Sequence, residues 1–461
     1  MYSLFSSDIQ KLNTLYNRPQ FSFVFLYGRY GTGKTQLVRE FCKGKPALFF
    51  TAQEMLPSRA LETFHREVVH SLHPAKKPAP FTNWTQAFSY ISDISFTHRL
   101  IFVLDEFQYL MQRDPSFAEA FTYAVHHSFP TGKIFLIVTS SAPAYAKSLM
   151  EAPVTPPFEA VTARARLERV PFYTCQPYFS GYTPIEQLTL YGITGGLPAN
   201  LLLLDPKRTA DENIISAFFH RDSPLLFLPQ TWLHRELREI STYNLLLEII
   251  ANDCARLADI AAAADIGTNK CAKYLNVLIE LGLLKKEFPA AGDVQKKVRY
   301  IFADHMMRFW YRFVFPNISS ILFNRGEHIY TEYVKPQLYT YLRPVFESVC
   351  ADYLERLAAA KQTPFAYHHT GSWWCGGTKR EPFFRIPLVA ADETHTVLGA
   401  CHCDTTPADT VYLENLLRPL EPFGNRKRYC CIFSVSGFTQ PLTKAATDTG
   451  NVWLIGLEDM V

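Results

Sequence analysis

The run Phe21-Ser22-Phe23-Val24-Phe25-Leu26-Tyr27, followed at once by Gly28-Arg29-Tyr30-Gly31-Thr32-Gly33-Lys34-Thr35-Gln36, decides the fold. Its first seven residues are apolar and aromatic, which predicts a strand, and a helical pattern runs from Gly33 to about Phe41. Between them, Gly28 to Thr35 fits G-x-x-x-x-G-K-[ST] at every fixed position. Glycines let the backbone curl so that consecutive N–H groups point at phosphate oxygens, and the helix that follows turns its positive dipole end to the same charge. Lys34 is placed to neutralise the β- and γ-phosphates, and the Thr35 hydroxyl to take Mg²⁺. Gly28, Arg29, Tyr30, Gly31, Thr32, Gly33, Lys34, Thr35 and Gln36 therefore form the expected nucleotide cradle, with ATP and Mg²⁺ as its ligands.

Working outward, the apolar run 99–105 ends in Asp105-Glu106. A buried strand delivers both acids to the sheet edge that carries the loop, where Asp105 would hold Mg²⁺ through water. Strand alternation points Glu106 elsewhere, toward orienting and deprotonating an attacking water. The run 133–140 ends in Ser140-Ser141, one of whose hydroxyls, taken as Ser140, would sense the γ-phosphate. Arg164 and Arg166 precede an expected fifth strand over 167–173, and Arg164 is the candidate arginine finger, in cis or toward a neighbouring subunit. With a short strand at 46–51 and helices between, these elements predict an α/β fold with a parallel sheet covered on both faces.

Length and composition bound the remainder. At 461 residues the chain has room for three or four domains. Lys+Arg 46 against Asp+Glu 43 gives no global charge argument for nucleic acid, so any such argument is local. No stretch approaches ~18 uninterrupted apolar residues, and the N-terminus lacks a signal-peptide pattern, so no membrane span is expected. Ten scattered cysteines in a chain of this size point to a reducing, cytoplasmic setting. The expected division is a P-loop core over 1–183, a helical lid over 184–234, a winged helix over 235–303 and a mixed α/β C-terminal domain over 304–461. In the winged helix, Thr268 is the expected cap of a helix that buries Cys271, Tyr274, Leu275, Leu278 and Ile279. That leaves Asn269, Lys270, Lys273 and Asn276 to solvent, and a hairpin adds Lys285, Lys286, Lys296, Lys297 and Arg299 against Glu287 and Asp293, a local excess suited to duplex DNA. Packing within the chain is the competing use of that face. His395, Cys401, His402 and Cys403 lack paired zinc spacing, and Cys430-Cys431 reads as core.

Together, YGRYGTGKT, FVLDEFQYL, the VTSS strand end, ARARLERVPF, YGITGGLPANL and FADHMMRFWYRFVFPN resemble the archaeal-type P-loop ATPases of the AAA/STAND neighbourhood, over nearly the whole chain. The resemblance implies Mg²⁺-dependent ATP hydrolysis that moves the lid and winged helix on DNA or a protein partner, in a possible homo-oligomer. It also implies that Gly196-Leu197-Pro198 lies with Pro198 against the adenine. Two departures are visible. The chain opens SLFSSDIQKL where relatives carry a phenylalanine and an Arg-Glu pair, and Pro387, Ala400 and His402 stand where a restriction-endonuclease-like C-terminal domain would carry two acids and a lysine. A two-carboxylate Mg²⁺ site cannot be built from those three side chains, so a structural or partner-binding role is expected, with Trp373 and Trp374 as contact or core residues. An ATP-dependent scaffold with little turnover is the alternative function, and an active nuclease ranks below it.

Overall fold

The computed structural model describes residues 4–72, 79–95, 98–151, 154–237, 239–291, 298–367, 369–376, 382–418, 421–424 and 426–460. Lys296, Lys297 and Asp293 of the expected hairpin lie outside these residues. The chain divides into two compact units, Met1–Arg169 with Leu197–Ala199, and Val170–Gly196 with Asn200–Val461.

The first unit is built on five parallel strands: β1 (Ser22–Tyr27), β2 (Ala47–Thr51), β3 (Leu100–Asp105), β4 (Ile134–Ser140) and β5 (Ala163–Arg166), in the order β2-β3-β4-β1-β5. Every residue of β3 and β4 is buried, because a parallel sheet is covered on both faces and its central strands carry continuous apolar runs. Alternation sends Phe102, Leu104 and Leu136 to a core with Phe64, Trp84, Phe88 and Phe121, and Ile101, Phe135 and Ile137 to one with Leu37, Val38 and Phe41. The helix Lys34–Cys42 follows β1 directly and packs its buried Leu37, Val38 and Phe41 on the second face. β4 lies between β1 and β3, so the loop strand and the acidic strand flank the strand that ends at Ser140.

The fifth strand differs from expectation. It is Ala163–Arg166, paired with Val24–Tyr27, whereas Phe172–Tyr178 is a 3₁₀ segment. The reason is its edge position: only alternate side chains are covered there, so Ala-Arg-Ala-Arg suffices, and the more apolar run after it stops being strand-like at Pro171.

In the second unit, helices Pro184–Thr194, Ala210–Phe218 and Leu228–Glu236 lead to Ile240–Ala251, Leu257–Ala263 and Thr268–Glu280. Antiparallel strands β6 (Leu284–Glu287) and β7 (Arg299–Phe302) follow, giving the element order of a winged helix. The cap of Thr268–Glu280 is Gly267, not Thr268, and no side chain caps it. Cys271, Leu275 and Leu278 are buried, but Tyr274 and Ile279 are half-buried, and the Tyr274 hydroxyl donates to Glu239 Oε2 (2.6 Å). The 22-residue helix Leu338–Ala359 precedes a second sheet of β8 (Gly371–Cys375), β9 (Phe384–Ala391), β10 (His395–His402), β11 (Lys427–Ser434) and β12 (Val452–Gly456), in the order β12-β11-β10-β9-β8. β10, β11 and β12 are parallel, and β9 runs antiparallel to β8 and β10. β8 is not foreseen from the sequence; it carries Trp373 and Trp374, both buried.

The β6–β7 hairpin is tied to this second sheet. Ala290 N–H donates to Ser372 O (2.8 Å), and Ser372 Oγ–H donates to Glu287 Oε1 (2.7 Å). Arg385 on β9 bridges Glu287 (3.0 Å) and Glu347 (2.7 Å), and Arg299 completes the group on Glu287 (3.0 Å).

Candidate nucleotide-binding site

The loop after β1 turns at once, and Gly28 is required there: φ is +155°, and an added Cβ would stand 2.2 Å from Leu167 O. Gly28 N–H donates to Ser140 O (3.2 Å), which sets the loop against the end of β4. Gly33, the N-cap of the helix Lys34–Cys42, has φ +84°, and a Cβ there would lie 2.4 Å from Phe5 Cζ and 3.1 Å from Pro198 Cβ. Pro198 thus reaches the loop, as Ala199 does through an N–H donated to Gly31 O (3.2 Å). Phe5 is buried on the same glycine, so a phenylalanine does flank the loop even without an Arg-Glu pair beside it.

Lys34 is buried, and its Nζ donates to Gly28 O (2.8 Å) and Arg29 O (2.9 Å). Burial pulls its pKa down to about 8, although Glu106 and Asp105 favour the cation; Arg29 adds to the lowering. Thr32 is buried with its hydroxyl on Arg29 O (2.8 Å), Arg29 and Gln36 are half-buried, and Tyr30 is exposed. The Thr35 hydroxyl lies 3.1 and 3.0 Å from the two Asp105 oxygens. Asp105 also accepts from Thr139 Oγ1 (2.6 Å) and Thr51 Oγ1 (3.4 Å). Burial raises the Asp105 pKa, the Glu106 charge adds to that, and the Thr139 and Thr35 hydroxyls with Lys34 oppose it. A hydroxyl beside a carboxylate is an oxygen-only pair that suits Mg²⁺. Among the described residues no group of three or more His, Cys, Asp and Glu could hold a metal, so a Mg²⁺ here would take its other ligands from water and phosphate.

Glu106 follows β3 with φ +56°, a conformation costly for a residue with a Cβ and common where function demands it. Its N–H donates to Thr139 Oγ1 (3.2 Å). Its carboxylate accepts from Gln108 Nε2 (2.6 Å), from Ser141 N–H (3.2 Å) and from the Ser141 hydroxyl. Ser141, not Ser140, is therefore the serine on Glu106. Ser140 is fully buried, and its Oγ accepts from Ala142 N–H (3.2 Å). Arg164 and Arg166 lie within β5 instead of before it. Arg164 is exposed opposite Phe25, and Arg166, level with Tyr27 at the loop, pairs with Glu168 (3.1 Å). The structure thus joins Lys34, Thr35, Asp105 and Glu106, with Ser140 and Pro198 beside the loop, and leaves Arg164 apart from them. Phe5, Gln108 and Thr139 are site residues that sequence reasoning does not single out, and Ser141 is the member of the Ser140-Ser141 pair that it sets aside. The DEFQ and VTSS strings contain the last three, and their acceptor and donor side chains next to strand ends are the signal available there.

The likeness to known proteins bears on the fold. The Walker-type ATPase of Pyrococcus abyssi superposes with a TM-score of 0.50 at 16% identity, over 67% of this chain and 95% of that one. The ORC2 protein of Aeropyrum pernix, solved in ADPNP and ADP complexes, gives 0.50 and 16%, over 69% and 94%. The chain has the P-loop NTPase fold. As expected from its motifs, its likeness is to archaeal Walker-type ATPases. An uncharacterised protein of Methanocaldococcus jannaschii is 25% identical over 389 residues, 84% of this chain and 83% of that protein. Residues 310–406 match a family described as archaeal and bacterial proteins of unknown function.

In the second unit, Asn269, Lys270, Lys273 and Asn276 are exposed on one helix, and Lys285 and Lys286 are exposed on β6. Arg299 and Glu287 are committed to the group around Arg385. No helix among the described residues is long and apolar enough to cross a membrane.

Proposed function

We propose that the chain binds and hydrolyses ATP with Mg²⁺, and that the cycle moves a helical lid (184–234) and a winged helix (235–303) on duplex DNA. The convergence of Lys34, Thr35, Asp105 and Glu106 at one sheet edge carries this reading. Lys34 would exchange its two carbonyl acceptors for β- and γ-phosphate oxygens, while the N–H groups of Gly31 to Thr35 line the same anion. Thr35 and Asp105 would hold the Mg²⁺, whose charge offsets that developing on the transferred phosphoryl group. Glu106 would accept a proton from the attacking water. Arg164, exposed on an edge strand, is the residue available to a neighbouring copy, which makes turnover dependent on assembly. Pro198, against Gly33, supports a place for the adenine beside it. Asn269, Lys270, Lys273, Asn276, Lys285 and Lys286 are the side chains offered to DNA. Ten free cysteines support a reducing, cytoplasmic setting, and residues 304–461 form a partner-binding or structural domain. Measuring ATP turnover against protein concentration, with and without duplex DNA, tests the reading. No turnover under any condition would reject hydrolysis, and turnover indifferent to DNA would reject the DNA partner.

A further inference from the structure

Resting on the reading of Glu106 as general base, a second residue at that edge is used by neither the loop nor the metal pair. Gln108 is 5% exposed. Its Nε2 donates to Glu106 Oε2 at 2.6 Å. Its Oε1 is buried and has no hydrogen-bond partner among the described residues. A buried amide oxygen left without a donor is costly and uncommon, and such atoms concentrate where a ligand or water completes them.

The accounting at Glu106 points the same way. An ionised carboxylate offers about four lone-pair sites. Three donors meet it here: Gln108 Nε2 and Ser141 N–H on Oε2, and the Ser141 hydroxyl on Oε1. One acceptor site remains. The amide that holds the carboxylate carries the unsatisfied Gln108 oxygen. A water molecule has two protons to give, and the carboxylate and the amide oxygen of these two hydrogen-bonded side chains offer an acceptor for each, which would leave an oxygen lone pair in a set direction. Glu106 holds a left-handed backbone, and its carboxylate meets the Gln108 amide two positions later.

We propose that Gln108 is a positioning residue for hydrolysis: with Ser141 it clamps the Glu106 carboxylate, and its free Oε1 accepts a hydrogen bond from the O–H of the attacking water that is not transferred to Glu106. The reaction itself is unchanged, since the water's proton passes to Glu106, its oxygen bonds to phosphorus and the β–γ bridging oxygen leaves with ADP.

The experiment compares wild type with Gln108→Ala, the similarly sized Gln108→Met, Glu106→Gln and the double variant Glu106→Gln/Gln108→Met. It reads kcat, KM, thermal unfolding, and affinity for ATP and for ADP with aluminium fluoride, an analogue of the transferring phosphoryl group. Misplaced water costs on the order of 10²-fold. The expected result is a kcat loss of that size in both single Gln108 variants, with ATP affinity and unfolding unchanged in Gln108→Met. Preference for the fluoride complex over ADP should fall, and Gln108→Met should add no further loss once Glu106→Gln is present. Wild-type kcat in Gln108→Met, a loss that multiplies with Glu106→Gln, or loss of ATP affinity in step with unfolding would each overturn the inference. Normal turnover in Glu106→Gln would instead remove the general-base reading beneath it.

Discussion

Replacing Lys34 with methionine separates the loop's charge from its packing. Lys34 is 3% exposed, and burial takes its pKa from 10.5 to about 8. At about 1.4 kcal/mol per unit, holding the cation there costs the free protein roughly 3 kcal/mol. Against this stand two charge-assisted hydrogen bonds, to Gly28 O and Arg29 O, each worth about 1.5–3 kcal/mol. Methionine, unbranched and neutral, removes both contributions, so they largely cancel and the first unit should unfold within a few degrees of wild type. In binding, Lys34 gives up the two carbonyl acceptors for two anionic phosphate oxygens, so methionine forfeits the surplus of a charge–charge contact over a charge–carbonyl one; at about 1.5–3 kcal/mol in all, this predicts an ATP affinity lower by roughly 10–10²-fold. Titration with a fluorescent ATP analogue, beside thermal unfolding of the nucleotide-free protein, reads both quantities. An affinity close to wild type would refute the assignment of Lys34 to the phosphates. A fall in affinity matched by collapse of the fold would refute the cancellation.

Glu106→Gln should preserve ATP binding and lower turnover by about 10²–10⁴-fold, the range for losing a general base; single-turnover kinetics with binding measured separately checks this. Neutralising Lys270, Lys273, Lys285 and Lys286 together should weaken DNA binding and reduce the slope of log affinity against log salt by about 0.9 for each DNA phosphate that is no longer neutralised. An unchanged slope would assign the face to packing. Arg385→Met strands Glu347 and weakens the hold on Glu287, both largely buried, and should cost about 3–5 kcal/mol locally, visible as faster hydrogen exchange across β6 and β7. Burial tends to raise the Glu287 pKa, but Arg385, the Ser372 hydroxyl and Arg299 prevail and hold it below the ordinary carboxylate value. Its contribution is therefore present above that ordinary value and lost as pH falls through the lowered one, so β6 protection should drop on acidification in wild type and less in Arg385→Met.

The legible parts of the chain are those whose physics is local. β1, β3 and β4 are continuous apolar runs because both faces of a parallel sheet are covered, and the loop's glycines, Lys34 and Thr35 follow from spacing along a single turn. β5 falls earlier than expected because an edge strand needs only alternate cover, which Ala163 and Ala165 supply without an apolar run. β8 escapes detection because Ser372, Trp373 and Trp374 are all buried, leaving no period of two to read. The same limit governs the site. Asp105 and Glu106 stand at the end of a readable strand, but Ser141 reaches Glu106 across a strand boundary, and Phe5 reaches Gly33 from the far side of the first helix. Nothing in the local pattern around Ser140-Ser141 tells which hydroxyl faces the acid; the pairing of β4 beside β3 decides it.

On the second sheet, the three positions expected to correspond to two acids and a lysine hold groups that cannot bind a metal as a pair of acids would. By continuation of the Gly399↔Leu388 pairing, Pro387 on β9 faces Ala400 on β10, so the two sites where relatives are expected to carry acids are adjacent, as a metal pair would require. Neither side chain offers an oxygen. His402, two positions on, has both ring nitrogens engaged, Nδ1 with the Tyr412 hydroxyl (2.8 Å) and Nε2 with Thr406 O (2.5 Å), and it is buried, so it is not presented to a phosphodiester. What remains at that register is packing: Ala400 joins Trp373, Leu398, Leu413 and Ile432 in one core. One position before Ile386, Arg385 is the centre of the group that ties the β6–β7 hairpin to this sheet. Packing and this ion group require the strands and the arginine, not a pair of acids. Incubating the purified protein with Mg²⁺ or Mn²⁺ and linear, circular or single-stranded DNA should give no cleavage, and cutting that persists in Lys34→Met would place a catalytic metal pair elsewhere in the chain.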